Sequence, residues 1–184
     1  MTRFLISDTH FGDEEVLSYT GRPFASVAEM NRTLVENWNR VVGPSDEVLF
    51  VGDFAEPSEP TTVRRWLGRL DGEITFVAGD HDSGVRRSHA VDTRSAHEFE
   101  ADGHRFHCIH DPEAAPPDFD GWVVHGHHHD IRPETYPFVD PDSRRVNVSV
   151  ELLGYEPVAV SELVGYLDAG ERLERRPPSG DSGA

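Results

Sequence analysis

Aspartate and histidine recur in five short clusters along the 184 residues. They are Asp8 and His10 in SDTH, Asp53 in GDF, Asp80, His81 and Asp82 in GDHD, His110 in CIHD, and His125, His127, His128 and His129 in HGHHHD. Singly, a strand-end aspartate is more often a cap or turn residue than a ligand, and a lone histidine is more often a satisfied surface or core residue. Five such clusters, each directly after an apolar run, exceed what turn chemistry supplies. Carboxylate oxygens and imidazole nitrogens together suit Mn, Fe, Zn or Ni, and the single cysteine, Cys108, excludes a thiolate site. In an extended chain residues two apart share a side, so Asp8 can converge with His10, and His127 with His129, while His128 points away. Six or more donors are too many for one tetrahedral ion, and two ions sharing a carboxylate is the economical arrangement.

The elements that must carry these residues are legible as strand, loop and helix, repeated. Arg3 to Ile6 is a short apolar strand ending in SDTH, EVLFVGDF is a second, and EITFVAGDHD a third. SVAEMNRTLVENWNRVV opens with a capping box, Ser26 and Glu29, and places Val27, Met30, Leu34, Trp38 and Val41 on one helical face. TTVRRWLGRL reads as a capped helix. The second half differs: HEFEADGHRFHCIHD reads as a hairpin turning at ADG. GWVVHGHHHD and RRVNVSVEL read as strands, and SELVGYL as a short helix with Ser161 as its N-cap. Alternating β and α followed by mainly β predicts an α/β or α+β sandwich with helices outside, its polar clusters at the strands' carboxyl ends.

In order and spacing the clusters resemble the motif series of the calcineurin-like metallophosphoesterases: Asp8-Thr9-His10, Gly52-Asp53, Gly79-Asp80-His81-Asp82, His110, and Gly126-His127-His128-His129. The series runs from 8 to 129. SDTHFGDEEVLSYTGRPF and VNVSVELLGYEPV further resemble the small single-domain phosphoesterases of bacteria, archaea and phages. The resemblance implies a four-layer αββα sandwich of two mixed sheets and a dinuclear centre at one edge. It assigns Asp8, His10, Asp53 and His129 to one metal, and Asp53, Asp80, His110 and His127 to the other, with Asp53 bridging. It places His81 beside the leaving group. Two divalent ions clamp the phosphoryl oxygens and acidify a bridging water, whose hydroxide attacks phosphorus in line. Imidazole titrates in the physiological range, so His81 is suited to protonate the departing oxygen, with Asp82 as the residue that orients it. Arg22 is the candidate for substrate binding through its bidentate fork, although an ordinary salt bridge is the commoner role for such a residue.

One position departs from the family pattern: Asp80 stands where Asn is usual. The third carboxylate should hold metal more tightly and make the centre less electrophilic toward an anionic phosphate; reduced or lost activity is the contrasting expectation. Fold alone does not guarantee turnover, since a retromer subunit has this fold and serves as a protein-binding scaffold. A scaffold, however, has no physical need for His81 and the histidine ligands. A storage or sensing module built on the histidine tract leaves the acidic clusters unexplained.

Charge bounds the partners. Asp and Glu number 34 against 17 cations, a net charge of −17, and every cation is arginine. Such an excess keeps a chain dispersed in concentrated salt and points to a halophilic, archaeal cytoplasm. It disfavours stable binding to duplex nucleic acid, whose phosphates are neutralised by Lys and Arg. A small phosphoester or nucleotide-like substrate is the expected partner, with a dimer as a family-level expectation. With no signal-peptide pattern and no membrane-length apolar run, the sequence reads as cytoplasmic. Residues 1–176 read as the phosphoesterase domain and 177–184, rich in Pro, Gly and Ser, as a disordered tail.

Overall fold

A computed structural model describes residues 1–178. The expected tail from 179 onward lies outside the described residues. In chain order the elements are β1 (Arg3–Ile6), α1 (Val16–Tyr19), α2 (Val27–Val41), β2 (Glu47–Val51), α3 (Pro60–Leu67), β3 (Glu73–Val77), α4 (Ser83–Ser88), β4 (Asp92–Arg94), β5 (His97–Ala101) and β6 (His104–Cys108). A 3-10 turn (Pro112–Ala114), β7 (Trp122–His125), β8 (Val139–Asp140), β9 (Arg145–Asn147), β10 (Val158–Ala159) and α5 (Val160–Ala169) follow.

Two mixed five-stranded sheets result, ordered β10-β1-β2-β3-β4 and β5-β6-β7-β9-β8. In the first, β1 to β4 run parallel in sequence order and β10 pairs antiparallel with β1. Parallel strands need helical crossovers, and α2 provides the first of them. Its N-cap Ser26 accepts the N–H of Glu29, while the Glu29 carboxylate accepts the N–H of Ala25. Its apolar face buries Met30, Leu34 and Trp38, the last stacked on Phe50 of β2. Alternation then turns Leu5, Leu49 and Val51 to the other face, toward the second sheet, where Phe106, Cys108, Val124 and Val146 are buried. The β5–β6 hairpin turns at Asp102 and Gly103, both at positive φ, as a two-residue turn requires. The outer face of the second sheet is covered by the 3-10 turn and the loop after it, with Phe119 against His107 and Arg105.

Two helix starts differ from expectation. α3 begins at Pro60, whose fixed φ suits a first helical position, and Glu59 caps it without a side-chain bond. α5 follows β10 without a loop, so Ala159 is its N-cap and Ser161 lies inside the first turn.

The segment after β9 joins the two sheets at one end. Val148 donates its N–H to His125 of the second sheet and accepts the N–H of Ser7, just beyond β1 of the first. That seam is where the histidines and aspartates collect.

Candidate metal centre

The loops after β1 and β2 lie side by side: Asp8 donates its N–H to Gly52, and His10 donates to Asp53. Nine non-glycine residues have positive φ among those described, and Asp8, His10, Asp53, His127 and His129 are five of them. This corrects the extended-chain argument for convergence. The donors converge because single left-handed residues re-aim the chain, a conformation that Asp, Asn and His tolerate better than most. Glycines make the close approach available. A Cβ on Gly126 would collide with Asp8 Oδ2 and Ser7 Oγ, and one on Gly52 with the His110 ring.

Two groups of potential ligand atoms form: Asp8, His10 and His129, and Asp8, Asp53 and His110, all buried. Asp53 Oδ2 lies 3.3 Å from His110 Nε2 and 3.7 Å from His10 Nε2, so it faces both. His129 Nε2 lies 3.7 Å from Asp8 Oδ1. Asp80 and His127 sit nearer solvent, Asp80 Oδ2 being 3.6 Å from His127 Nδ1, and the His127 ring is 5.2 Å from that of His110.

The donor set fits divalent metal ions. The Nε2 atoms of His10 and His110 are buried without a hydrogen-bond partner, which is costly unless something binds them. The opposite ring nitrogens are fixed. His110 Nδ1 donates to the Val51 carbonyl (2.9 Å), His129 Nδ1 to Glu151 Oε1 (2.8 Å), and Asp13 lies 3.4 Å from His10 Nδ1. Each leaves Nε2 facing the cluster, as ligand histidines require. Asp8 Oδ2 accepts from Ser7 Oγ (2.5 Å) and Ser149 Oγ (2.9 Å), which leaves Oδ1 toward His129.

Charges in the cluster are mutually dependent. Burial alone would raise the Asp53 carboxyl, but the His110 ring facing it at 3.3 Å, with the N–H of His81, holds it well below the usual range. Burial likewise favours neutral His110, yet Asp53 and Asp8 hold that ring up to about 10. Glu151 is held down to about 2 against its burial by Arg22 and His129.

Two expected roles are corrected. Asp82 makes no bond to the His81 ring; its buried carboxylate accepts the N–H groups of Asp53, Phe54 and Gly79 and so braces the two loops together. Arg22 does not face substrate. Its guanidinium is buried, paired with Glu151 through Nε (2.8 Å) and Nη2 (2.7 Å), and it donates to the carbonyls of Asp8 and Thr9. The salt-bridge alternative describes it. His81 is exposed at the mouth, its ring 5.7 Å from that of His10. His128 stacks on Tyr136 at 3.6 Å, and His125 is buried with Nδ1 donating to the Gly126 carbonyl. Sequence reasoning missed Asp13, Glu151, Ser7 and Ser149. Asp13 follows His10 at close spacing and was findable; Glu151 lies 22 residues from His129 and carries no local signal.

Fold and site together define an α/β sandwich with a carboxylate–imidazole cluster across the carboxyl ends of its strands. The calcineurin-like phosphoesterase superfamily domain matches residues 1–148, and the chain belongs to that superfamily. An uncharacterized protein of Methanocaldococcus jannaschii is 39% identical over 170 residues, covering 91% of this chain and 92% of the relative. A protein of unknown function from Aquifex aeolicus superposes with a TM-score of 0.69 at 22% identity, over 90% of this chain and 98% of that one. Vacuolar Protein Sorting 29 from Cryptosporidium parvum gives a TM-score of 0.40 at 15% identity, over 80% and 72%.

Proposed function

We propose that the chain is a metal-dependent phosphoesterase that holds two divalent ions, manganese foremost with iron, zinc or nickel as alternatives, and hydrolyses a phosphodiester or phosphomonoester. One observation carries this: two buried carboxylate–imidazole groups share Asp8 and contain the partnerless Nε2 atoms of His10 and His110. One ion would take Asp8, His10, Asp53 and His129; the other would take Asp53, Asp80, His110 and His127. Bound there, such ions supply positive charge to phosphoryl oxygens and make water a stronger acid. The chain's own residues do the rest. Val51, Glu151 and Asp13 hold the ring lone pairs inward, Ser7 and Ser149 hold Asp8, and His81 carries a proton at the mouth for the departing oxygen.

Net charge and the all-arginine cation set support a halophilic archaeal cytoplasm as the setting, a small phosphoester or nucleotide-like substrate, and no stable duplex binding. No helix among the described residues is long and apolar enough to cross a membrane. Chelator-stripped protein titrated with Mn2+ is expected to take up two ions by calorimetry and elemental analysis, and to hydrolyse aryl phosphoesters only when loaded. Two-ion uptake without turnover of any ester would leave a non-catalytic metal-binding scaffold. Failure to take up ions would remove both readings.

A further inference from the structure

Resting on the phosphoester reading, we infer that the substrate is a monoanionic phosphodiester whose non-departing ester group lies against Tyr19, rather than a dianionic monoester. The first argument is charge. Two divalent ions bring four positive charges, Asp8, Asp53 and Asp80 cancel three and the attacking hydroxide the fourth, leaving none; an amide at position 80 would leave one. No net positive charge then attracts the substrate, so a monoanionic diester is opposed less than a monoester dianion. There is no lysine, and the Arg22 guanidinium is enclosed by Glu151 and two backbone carbonyls. Among the described residues no arginine pairs with the side chain of Asp8, Asp53 or Asp80. Asp13, beside His10, adds a further negative charge.

The second argument is surface. A diester carries a substituent that a monoester lacks, and the mouth offers a place for it. The exposed large apolar side chains among the described residues are Met1, Tyr19 and Ile131. One of them lies against the site: Tyr19, 50% exposed, meets the His129 ring edge-on at 5.7 Å. Four rings succeed one another, exposed His81 to buried His10 at 5.7 Å, His10 to buried His129 at 5.2 Å, and His129 to half-exposed Tyr19 at 5.7 Å. The proton carrier His81 stands at one end of this succession and an apolar platform at the other. A phosphorus centre between them has its departing oxygen toward His81 and its retained ester group toward Tyr19.

Asp80 is the residue to change, because its side chain is 68% exposed and its replacement leaves no buried void. In a near-aqueous dielectric, one unit charge acting on another over a few Å changes affinity about five-fold. Calorimetry on the Mn2+-loaded protein compares phenylphosphonate, a dianion, with its methyl monoester, a monoanion. Wild type should favour the monoanion, and Asp80→Asn should shift the ratio toward the dianion about five-fold. Turnover of three esters sharing the p-nitrophenolate leaving group is the second readout: phenyl and methyl p-nitrophenyl phosphate as diesters, and p-nitrophenyl phosphate as monoester. Tyr19→Ala should lower kcat/KM for the phenyl diester and spare the methyl diester and the monoester. Tighter binding of the dianion by wild type, or equal loss on all three esters in Tyr19→Ala, overturns the inference and leaves phosphoester hydrolysis standing. With two ions bound, no turnover of any ester overturns both. If Asp80→Asn retains fewer ions, the wild-type comparison and the Tyr19 series decide alone.

Discussion

Glu151→Gln isolates the contribution of a residue that touches no expected substrate atom. Glu151 is buried and serves two partners at once, accepting from Arg22 Nε, with Nη2 2.7 Å away, and from His129 Nδ1. Removing its charge leaves the Arg22 guanidinium buried beside a neutral amide. Breaking a buried pair from one side costs about 3 kcal/mol at the low end, the end that applies because the amide oxygen keeps one acceptor. For a chain of this size that corresponds to a fall in Tm of roughly 6 to 12 °C in chelator. The same change weakens the acceptor that orients His129, and loss of such an outer partner lowers metal affinity about 10- to 100-fold. Pairing Arg22→Met with Glu151→Leu separates the two effects. With both charges gone, most of the lost stability should return, short of the two carbonyl hydrogen bonds that Arg22 made at about 1 kcal/mol each. Metal affinity should stay low, because leucine leaves His129 Nδ1 with no acceptor at that position. Thermal melts in chelator and calorimetric Mn2+ titrations measure the two quantities. A Glu151→Gln protein with wild-type Tm and wild-type Mn2+ affinity would refute the reasoning.

His127→Ala should cost about ten-fold or more in Mn2+ affinity, whereas His128→Ala, which loses a stack on Tyr136, should change it little; parallel calorimetric titrations compare them. Gly52→Ala places a Cβ into the His110 ring from a residue at φ +90°, and is expected to lose about 3 kcal/mol in denaturant unfolding together with metal uptake. Burial holds His125 neutral, its pKa pushed down to about 3, although its bond to the Gly126 carbonyl opposes this. Below about pH 6.5 the unfolded chain therefore binds a proton that the folded chain refuses, so stability falls as pH drops from there toward 3. The stability of His125→Gln apoprotein, followed by denaturant unfolding between pH 4 and 6, should fall less steeply than wild type by about 1.4 kcal/mol per pH unit.

Much of the fold was legible because its long elements obey simple periods. The capping box at Ser26 and the face Met30, Leu34 and Trp38 specify α2, and the apolar runs before Asp8, Asp53 and Asp80 specify β1, β2 and β3. The two-residue strands β8 and β10 and the four-residue α1 are too short to carry a period, and they exist through tertiary pairing. The donor residues were legible as types and order, but not the way they meet. Alternation in an extended chain predicted convergence, while the backbone achieves it with left-handed residues that no hydrophobic pattern records. Arg22 and Asp82 are candidates for function in the sequence only as charged neighbours of the motifs, and a salt bridge is already the commoner role for Arg22. Their roles depend on partners far along the chain, Glu151 for the first and the β2 loop for the second.

The left-handed turns at Asp8, His10, Asp53, His127 and His129 also limit how this protein can change over time. At such positions Gly, Asn, Asp and His fit with little strain, whereas Val, Ile or Leu would be forced off the backbone's geometry. A lineage that abandons the chemistry can therefore exchange its donors for Asn or Gly and keep the sandwich intact. Decay would leave a readable trace: apolar strands still in place, each followed by small amides and glycines where acids and imidazoles had stood.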